Sequence, residues 1–379
     1  MRKVGEMKKK YISVIAGMAA IIIYMVIIAF LSKTEKTSLV ETKGRDFEKA
    51  EVIEVTQDNM QENGARAGYQ KLKIKLTSGS DKGKEVEATS AEGNLFGAVC
   101  KKGDKVIVIV SVSGDSIQAS VYSKDRQLPI ICFVAIFFLL IIFVGGKNGV
   151  KSVIALVFTF ISIVYLFMPM LYRGYSPFFA AVLVVVLTTI VTMLLVGGAT
   201  IKCLSAIIGT TLGVLIAGIA ASLFGKASGI DGWNVSDIET LVFVGQNTKI
   251  QVGGLLFAGI LIASLGAVMD VAMSVASAIT EIYEVDHALP FQQLFKSGMK
   301  VGRDAMGTMS NTLILAFVGG SITTLVLDYA YDLPYLQLIN SYSIGIEIMQ
   351  GIAGSIGIIL TVPCVAVVTA FLLSRKSKA

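Results

Sequence analysis

Apolar positions fall in long unbroken runs over most of this chain and in short alternating runs over one stretch near its beginning. Tyr11–Leu31 is a run of about twenty mostly apolar residues, long enough to cross a bilayer as a helix. From Ser32 to Gln127 the pattern becomes that of a soluble domain. Glu51–Thr56, Gln70–Leu76, Lys84–Thr89, Lys105–Val112 and Ser116–Tyr122 read as short strands separated by Gly, Asp, Ser and Asn. Lys71–Leu76 alternates polar and apolar, whereas Val106–Val110 is apolar throughout, as expected of a strand at the centre of a small barrel. Five such strands suit an OB-like barrel. After Pro129 the long runs return, and spans are expected at Leu128–Val144, Val150–Tyr172, Pro177–Val196, Ile201–Phe224, Ile250 to about Val271, Asp304–Leu327 and Gly351–Leu373. With the first run these make about eight transmembrane helices. The fold class is therefore an α-helical polytopic membrane protein with a small all-β, OB-like extracytoplasmic domain between its first two helices. The expected divisions are 1–31 (cytoplasmic start and anchor), 32–127 (β domain), 128–374 (seven-helix membrane domain) and 375–379 (basic tail).

Composition agrees: 54% of residues are hydrophobic and 16% charged, too apolar for a soluble chain of this length. The net charge of +6 carries no aromatic-interleaved basic patch, so it points away from nucleic acid and toward membrane topology. Arg2, Lys3, Lys8, Lys9 and Lys10 precede the first run. Lys147, Lys151, Lys202, Lys296, Lys300, Arg303, Arg375, Lys376 and Lys378 occupy the loops and tail assigned to the cytoplasm, against only Arg173, Lys226 and Lys249 in the short outer loops. By the positive-inside rule both termini are expected on the cytoplasmic side. Ala29, Phe30 and Leu31 lack the small residue expected before a signal-peptide cleavage site, so the first run is read as a retained anchor. Cys132, Cys203 and Cys364 lie in apolar runs, Cys100 alone lies in the β domain, and His287 is the single histidine, so neither a disulfide framework nor a metal site is expected.

Between and within the spans, Val235–Val244 reads as an interfacial helix and Asp328–Glu347 as a Tyr-rich outer loop. Gly209 and Gly213, and Gly351 and Gly354, have the spacing of close helix contacts, and Pro363 inside the last span predicts a kink. Polar residues inside spans are the candidate chemistry. Asp270, Ser274, Ser277 and Glu281 follow the spacing i, i+4, i+7, i+11 and share one helix face. Asp304, Thr308 and Asn311 repeat it, with Arg303 alongside. The expectation is a buried polar seam with Asp270 and Asp304 facing each other at one depth near the cytoplasmic helix ends, suited to a small solute, proton or cation. The chain has no H-E-x-x-H, G-x-S-x-G or Walker lysine loop, so it is not expected to be an enzyme or to need a cofactor.

The residues LGAVMDVAMS (265–274), Glu281 and above all SGMKVGRDAMGTMSNT (297–312) resemble the YibE/F family of bacterial multi-pass membrane proteins. The resemblance extends to the layout of anchor, exported β domain and helical membrane domain, and it implies that layout together with a role in transport. Two functions follow as expectations. One is a secondary transporter or permease working through the seam; the other is a non-transporting scaffold whose β domain recruits an exported partner. Lipid is the expected surrounding in either case, and a homo-oligomer is compatible with both.

Overall fold

The computed structural model describes residues 24–31, 33, 39, 44–62, 66–91, 97–113, 116–235 and 237–376. Most of the expected anchor lies outside the described residues, which begin helical at 24–31 (α1). The chain divides into two compact units, one within Ser38–Leu140 and one made of Ile141–Ala379 with the amino-terminal stretch.

The first unit is a closed barrel of five strands: β1 (Arg45–Gln57), β2 (Gln70–Leu76), β3 (Glu85–Ser90), β4 (Lys105–Ser113) and β5 (Ser116–Lys124). Its order is β1-β2-β3-β5-β4, closed by β4 returning to β1 and by a short parallel pairing of β3 with β5. β1 begins six residues before the strand expected at Glu51, because its first half pairs with β4 and its second half with β2. Register shifts at Val52/Glu54 and Val55/Gln57 bend it between those two neighbours, as bulges do. Val52, Leu72, Ile74, Leu76, Val106, Val108 and Val110 fill the interior. β4 alternates despite its apolar sequence, with Ile107 and Ile109 only half-buried on the outer side. Gln70 is a polar residue buried with this core. Its Nε2 donates to Asp58 Oδ1 at 2.8 Å and its Oε1 accepts from the Cys100 amide at 2.8 Å, so its burial leaves neither end of the amide unpaired.

α2 (Gln127–Ser162) crosses the division at residue 140, and in the second unit it continues through a π turn (Ile163–Phe167) into α3 (Met168–Tyr172). Gly146 breaks α2 with φ 54° and ψ −131°, a conformation open to glycine and closed to most other residues. Then follow α4 (Pro177–Gly197), α5 (Ile201–Ser228), the short α6 (Ile238–Asn247), α7 (Leu255–Val285), α8 (Phe291–Gly320), α9 (Ile322–Ala330), α10 (Tyr335–Ile339) and α11 (Tyr342–Lys376). Among the described residues five helical stretches are long and apolar enough to cross a membrane, or six if the bent pair α8 and α9 is one span. The molecule is a helical membrane protein with a small β-barrel domain.

The bundle is held by close approach. α5 and α11 make its tightest seam, where Gly209 lies under Val365 and Gly213 under Thr361 and the Gly357 carbonyl. Gly354 accepts Leu313 of α8, whereas Gly351 is looser, 3.6 Å from Ile314 measured from the position of a β-carbon. Thr188, Thr189, Thr361 and Thr369 are fully buried, and each hydroxyl donates to the carbonyl four residues earlier, which makes it compatible with an apolar interior. α11 remains helical through Pro363. The expected outer loop after Asp328 is largely helical, since α9, α10 and the start of α11 occupy it.

Candidate functional site

Hydropathy windows end α7 near Val271 and start α8 at Asp304, but the hydrogen-bonded helices do not stop there. α7 runs on to Val285 and α8 begins at Phe291, joined by a turn in which the His287 ring nitrogen meets the Tyr283 carbonyl at 2.8 Å. The apolar stripe persists through the charged part: Val275, Ala276, Ile279 and Tyr283 of α7, and Leu294, Gly298 and Gly302 of α8, are buried. Gly298 receives Ile279 and Gly302 receives Val362 of α11, so one side of this hairpin is fixed by packing. Each helix is about 45 Å long at 1.5 Å per residue. Asp270 and Asp304 therefore sit near the middle of their helices and not at the ends, which corrects the expected placement.

The expected burial is corrected as well. Asp270, Ser274 and Glu281 are exposed and Ser277 is half-buried; Arg303, Asp304, Thr308 and Asn311 are all exposed. The physical reason is the buried stripe just described: α7 and α8 turn their apolar faces to each other, to α5 and to α11, and the polar spacing falls on the remaining side. In a single chain the stripes thus form an open face and not an interior seam. Among the described residues no ion pair joins Asp270, Glu281, Arg303 and Asp304, and the Thr308 hydroxyl meets only the Asp304 carbonyl, at 3.5 Å.

This open face differs in kind from the exposed apolar surfaces elsewhere on the helices. Elsewhere exposed helix positions carry Phe160, Ile219, Leu223, Val367 and Phe371. Along α7 the open positions are Gly259, Ala263, Gly266, Asp270 and Ser274, and a β-carbon on Gly259 or Gly266 would meet nothing within 4 Å. Gly307 is equally open on α8, among Arg303, Asp304, Thr308 and Asn311. Contacts bracket the acids: Ile279 against Gly298 on one side, Ser264 and Leu313 both against Gly354 on the other. Both acids thus belong to the same middle stretch of an antiparallel hairpin. Carboxylates, hydroxyls, an amide and a guanidinium at that level, with small residues between them, form a surface that holds water and a hydrophilic solute better than lipid.

The sequence profile of the YibE/F-like proteins matches residues 133–375, from α2 through α11. The chain belongs to this family. The match covers the helical unit that carries the α7–α8 face and leaves the barrel outside it. No curated protein and no solved structure matches the chain. Family membership and the apolar helices together make this YibE/F-like chain a membrane protein.

A polar feature away from α7 was not foreseen. The expected span Asp304–Leu327 is interrupted at Ser321, where α8 gives way to α9 with a 61° bend. The signal available in the sequence was Gly319-Gly320-Ser321 followed by Thr323 and Thr324 inside an otherwise apolar run.

Proposed function

We propose that this YibE/F-like protein is a secondary transporter or permease for a small hydrophilic solute or ion, with its pathway along the α7–α8 face. The observation that supports the reading most is the open face itself: Asp270, Ser274, Arg303, Asp304, Thr308 and Asn311 exposed on two helices of a membrane unit, with the open Gly266 and Gly307 among them. Ionisable groups at such a level mark ion and solute pathways more often than lipid contacts. The reading includes eight spans. The break at Gly146 divides the stretch 127–172 in two, the bent α8–α9 pair counts once, and the first anchor completes the number. Basic residues at the start, around Lys147, Lys202 and Lys300, and after Leu373 support cytoplasmic termini in the bacterial cytoplasmic membrane, with the barrel outside. The strand order and the β3–β5 parallel pairing support an OB-like barrel. No enzymatic role is assigned.

A groove of about 640 Å³ on the barrel, with Lys71, Glu87, Thr89 and Gln118 in its lining, favours the second reading, a scaffold that recruits an exported partner. Ion flux separates the two. Proteoliposomes holding the full chain are loaded with a dye selective for protons, sodium or potassium and given the matching ion gradient. The transporter dissipates at least one gradient faster than empty vesicles, and Asp270→Asn and Asp304→Asn, which keep shape and lose charge, return that rate to background while eluting as folded protein. Flux unchanged in both variants removes the acids from the pathway. No flux with any of the three ions removes proton, sodium and potassium as its substrates.

A further inference from the structure

The break between α8 and α9 opens into two adjoining cavities of different chemistry. One, of about 480 Å³, is lined by Asn234, Ser321, Thr324, Ser343, Glu347 and Gln350 among others. The other, of about 340 Å³, runs along α8 and α11 between Ile314, Phe317, Val318, Ile348 and Ile352 and is apolar apart from its mouth. Ser321, Leu325, Ile344 and Glu347 line both, so the two chambers meet at one carboxylate. Each has the size of a small-molecule site, and together they join an apolar chamber to a few convergent polar groups.

Glu347 is half-buried and has neither a hydrogen bond nor an ion pair in the described chain, and no lysine or arginine lines either cavity. A carboxylate partly removed from water without a partner costs free energy that a cation beside it recovers. A bare metal ion would find one carboxylate where several oxygen ligands are needed and would leave the apolar chamber unfilled. The backbone makes room for something larger. Gly351 lines the apolar chamber without a side chain, and the nearest neighbour of a β-carbon there is Ile314 at 3.6 Å, so the chamber stays open beside it.

We propose that the α8–α9 break is a binding site for an amphipathic organic amine, its ammonium group on Glu347 and the polar side chains around it, its apolar body in the chamber between α8 and α11. The ammonium can belong to a soluble amine or to an aminolipid headgroup, since the chemistry is shared. This site is independent of the transport reading: a protein that moves nothing still binds the amine, and Asp270→Asn and Asp304→Asn leave that binding unchanged.

Trp233 is the sole tryptophan and adjoins Asn234 in the polar lining, so its fluorescence reports occupancy. The test titrates the full chain in phosphatidylglycerol nanodiscs with 4-phenylbutylamine, 4-phenylbutanol and 4-phenylbutanoate. The amine saturates at a concentration at least tenfold lower than the alcohol, and the carboxylate does not bind. Glu347→Gln weakens the amine at least tenfold and brings it level with the alcohol. Gly351→Leu, which fills the apolar chamber, weakens amine and alcohol together. If phosphatidylethanolamine in the discs competes with the amine, the lipid headgroup is an occupant; if it does not, the ligand is a soluble amine. Equal binding of the three ligands to the wild-type chain overturns the proposal whether or not the variants fold, as does a Glu347→Gln protein that binds the amine as the wild type does.

Discussion

Gly213→Ala is the smallest change that tests how the membrane unit is held together. A β-carbon at this position overlaps the Thr361 hydroxyl and stands 2.9 Å from Val268 Cγ1 and 3.1 Å from the Gly357 carbonyl oxygen. None of these neighbours moves freely. Thr361 donates its hydroxyl to the Gly357 carbonyl at 2.7 Å, and Val268 and Thr361 are completely buried. The methyl group therefore separates α5 from α11, and overpacking of this kind costs about 1–3 kcal/mol. Replacing a helical glycine by alanine also returns up to about 1 kcal/mol of helix propensity, so a control must carry the same gain. Gly266→Ala on α7 does, because a β-carbon there meets nothing within 4 Å. The stability difference between the two variants isolates the steric cost. For a unit of this size it corresponds to about 2–12 °C in Tm at roughly 2–4 °C per kcal/mol. The assay is thermal unfolding of the two purified proteins in one detergent, with Gly213→Ala melting below Gly266→Ala. Equal melting temperatures would refute the claim that this glycine sets the α5–α11 distance.

Two further outcomes concern the barrel. Glu48 is buried, one carboxylate oxygen lacks a partner, and burial together with the nearby Asp81 and Asp46 carboxylates raises its pKa. With the folded value above the unfolded one, its favourable contribution is full below the unfolded pKa and disappears as pH rises through the folded pKa, so Glu48→Gln should stabilise the barrel at pH 7 and have no effect near pH 4. Neutralising a buried carboxylate that lacks a partner and faces two other acids is worth about 1–3 kcal/mol, so labelling of the buried Cys100 at pH 7, read by mass spectrometry on its own peptide, should slow about five- to hundredfold; equal rates would show that the charge is already compensated. Because Cys100 is buried and its thiol is pushed up by burial, it is the wrong reporter of topology. Cysteine in place of the exposed Lys82 is the right one: a membrane-impermeant reagent should label Lys82→Cys on intact cells, and labelling only after lysis would put the barrel in the cytoplasm.

The sequence by itself determined which stretches are helical and apolar enough for a membrane, where the barrel lies, and that Asp270, Ser274, Ser277 and Glu281 share one face of a helix. These depend on local periodicity and on transfer of single side chains from water, and both are written in the order of residues. Hydropathy could not set the ends of α7 and α8, because the hydroxyls and acids from Ser274 to Glu284 and the basic residues Lys296, Lys300 and Arg303 lower the average without breaking a backbone hydrogen bond. The charged first half of β1 gave no alternation to read, since its extension is imposed by pairing with β4. Which way the polar stripes point was decided only by tertiary packing: Ile279 against Gly298 and Val362 against Gly302 use up the other faces of the hairpin and leave the acids outside. Glu347 and Ser321, separated by 26 positions in the chain, acquire a common cavity only because α8 ends at Gly320 and α9 turns away by 61°. Periodicity describes one helix at a time, whereas a site made by several helices depends on the direction of each axis, and that direction is fixed by contacts between residues distant in sequence.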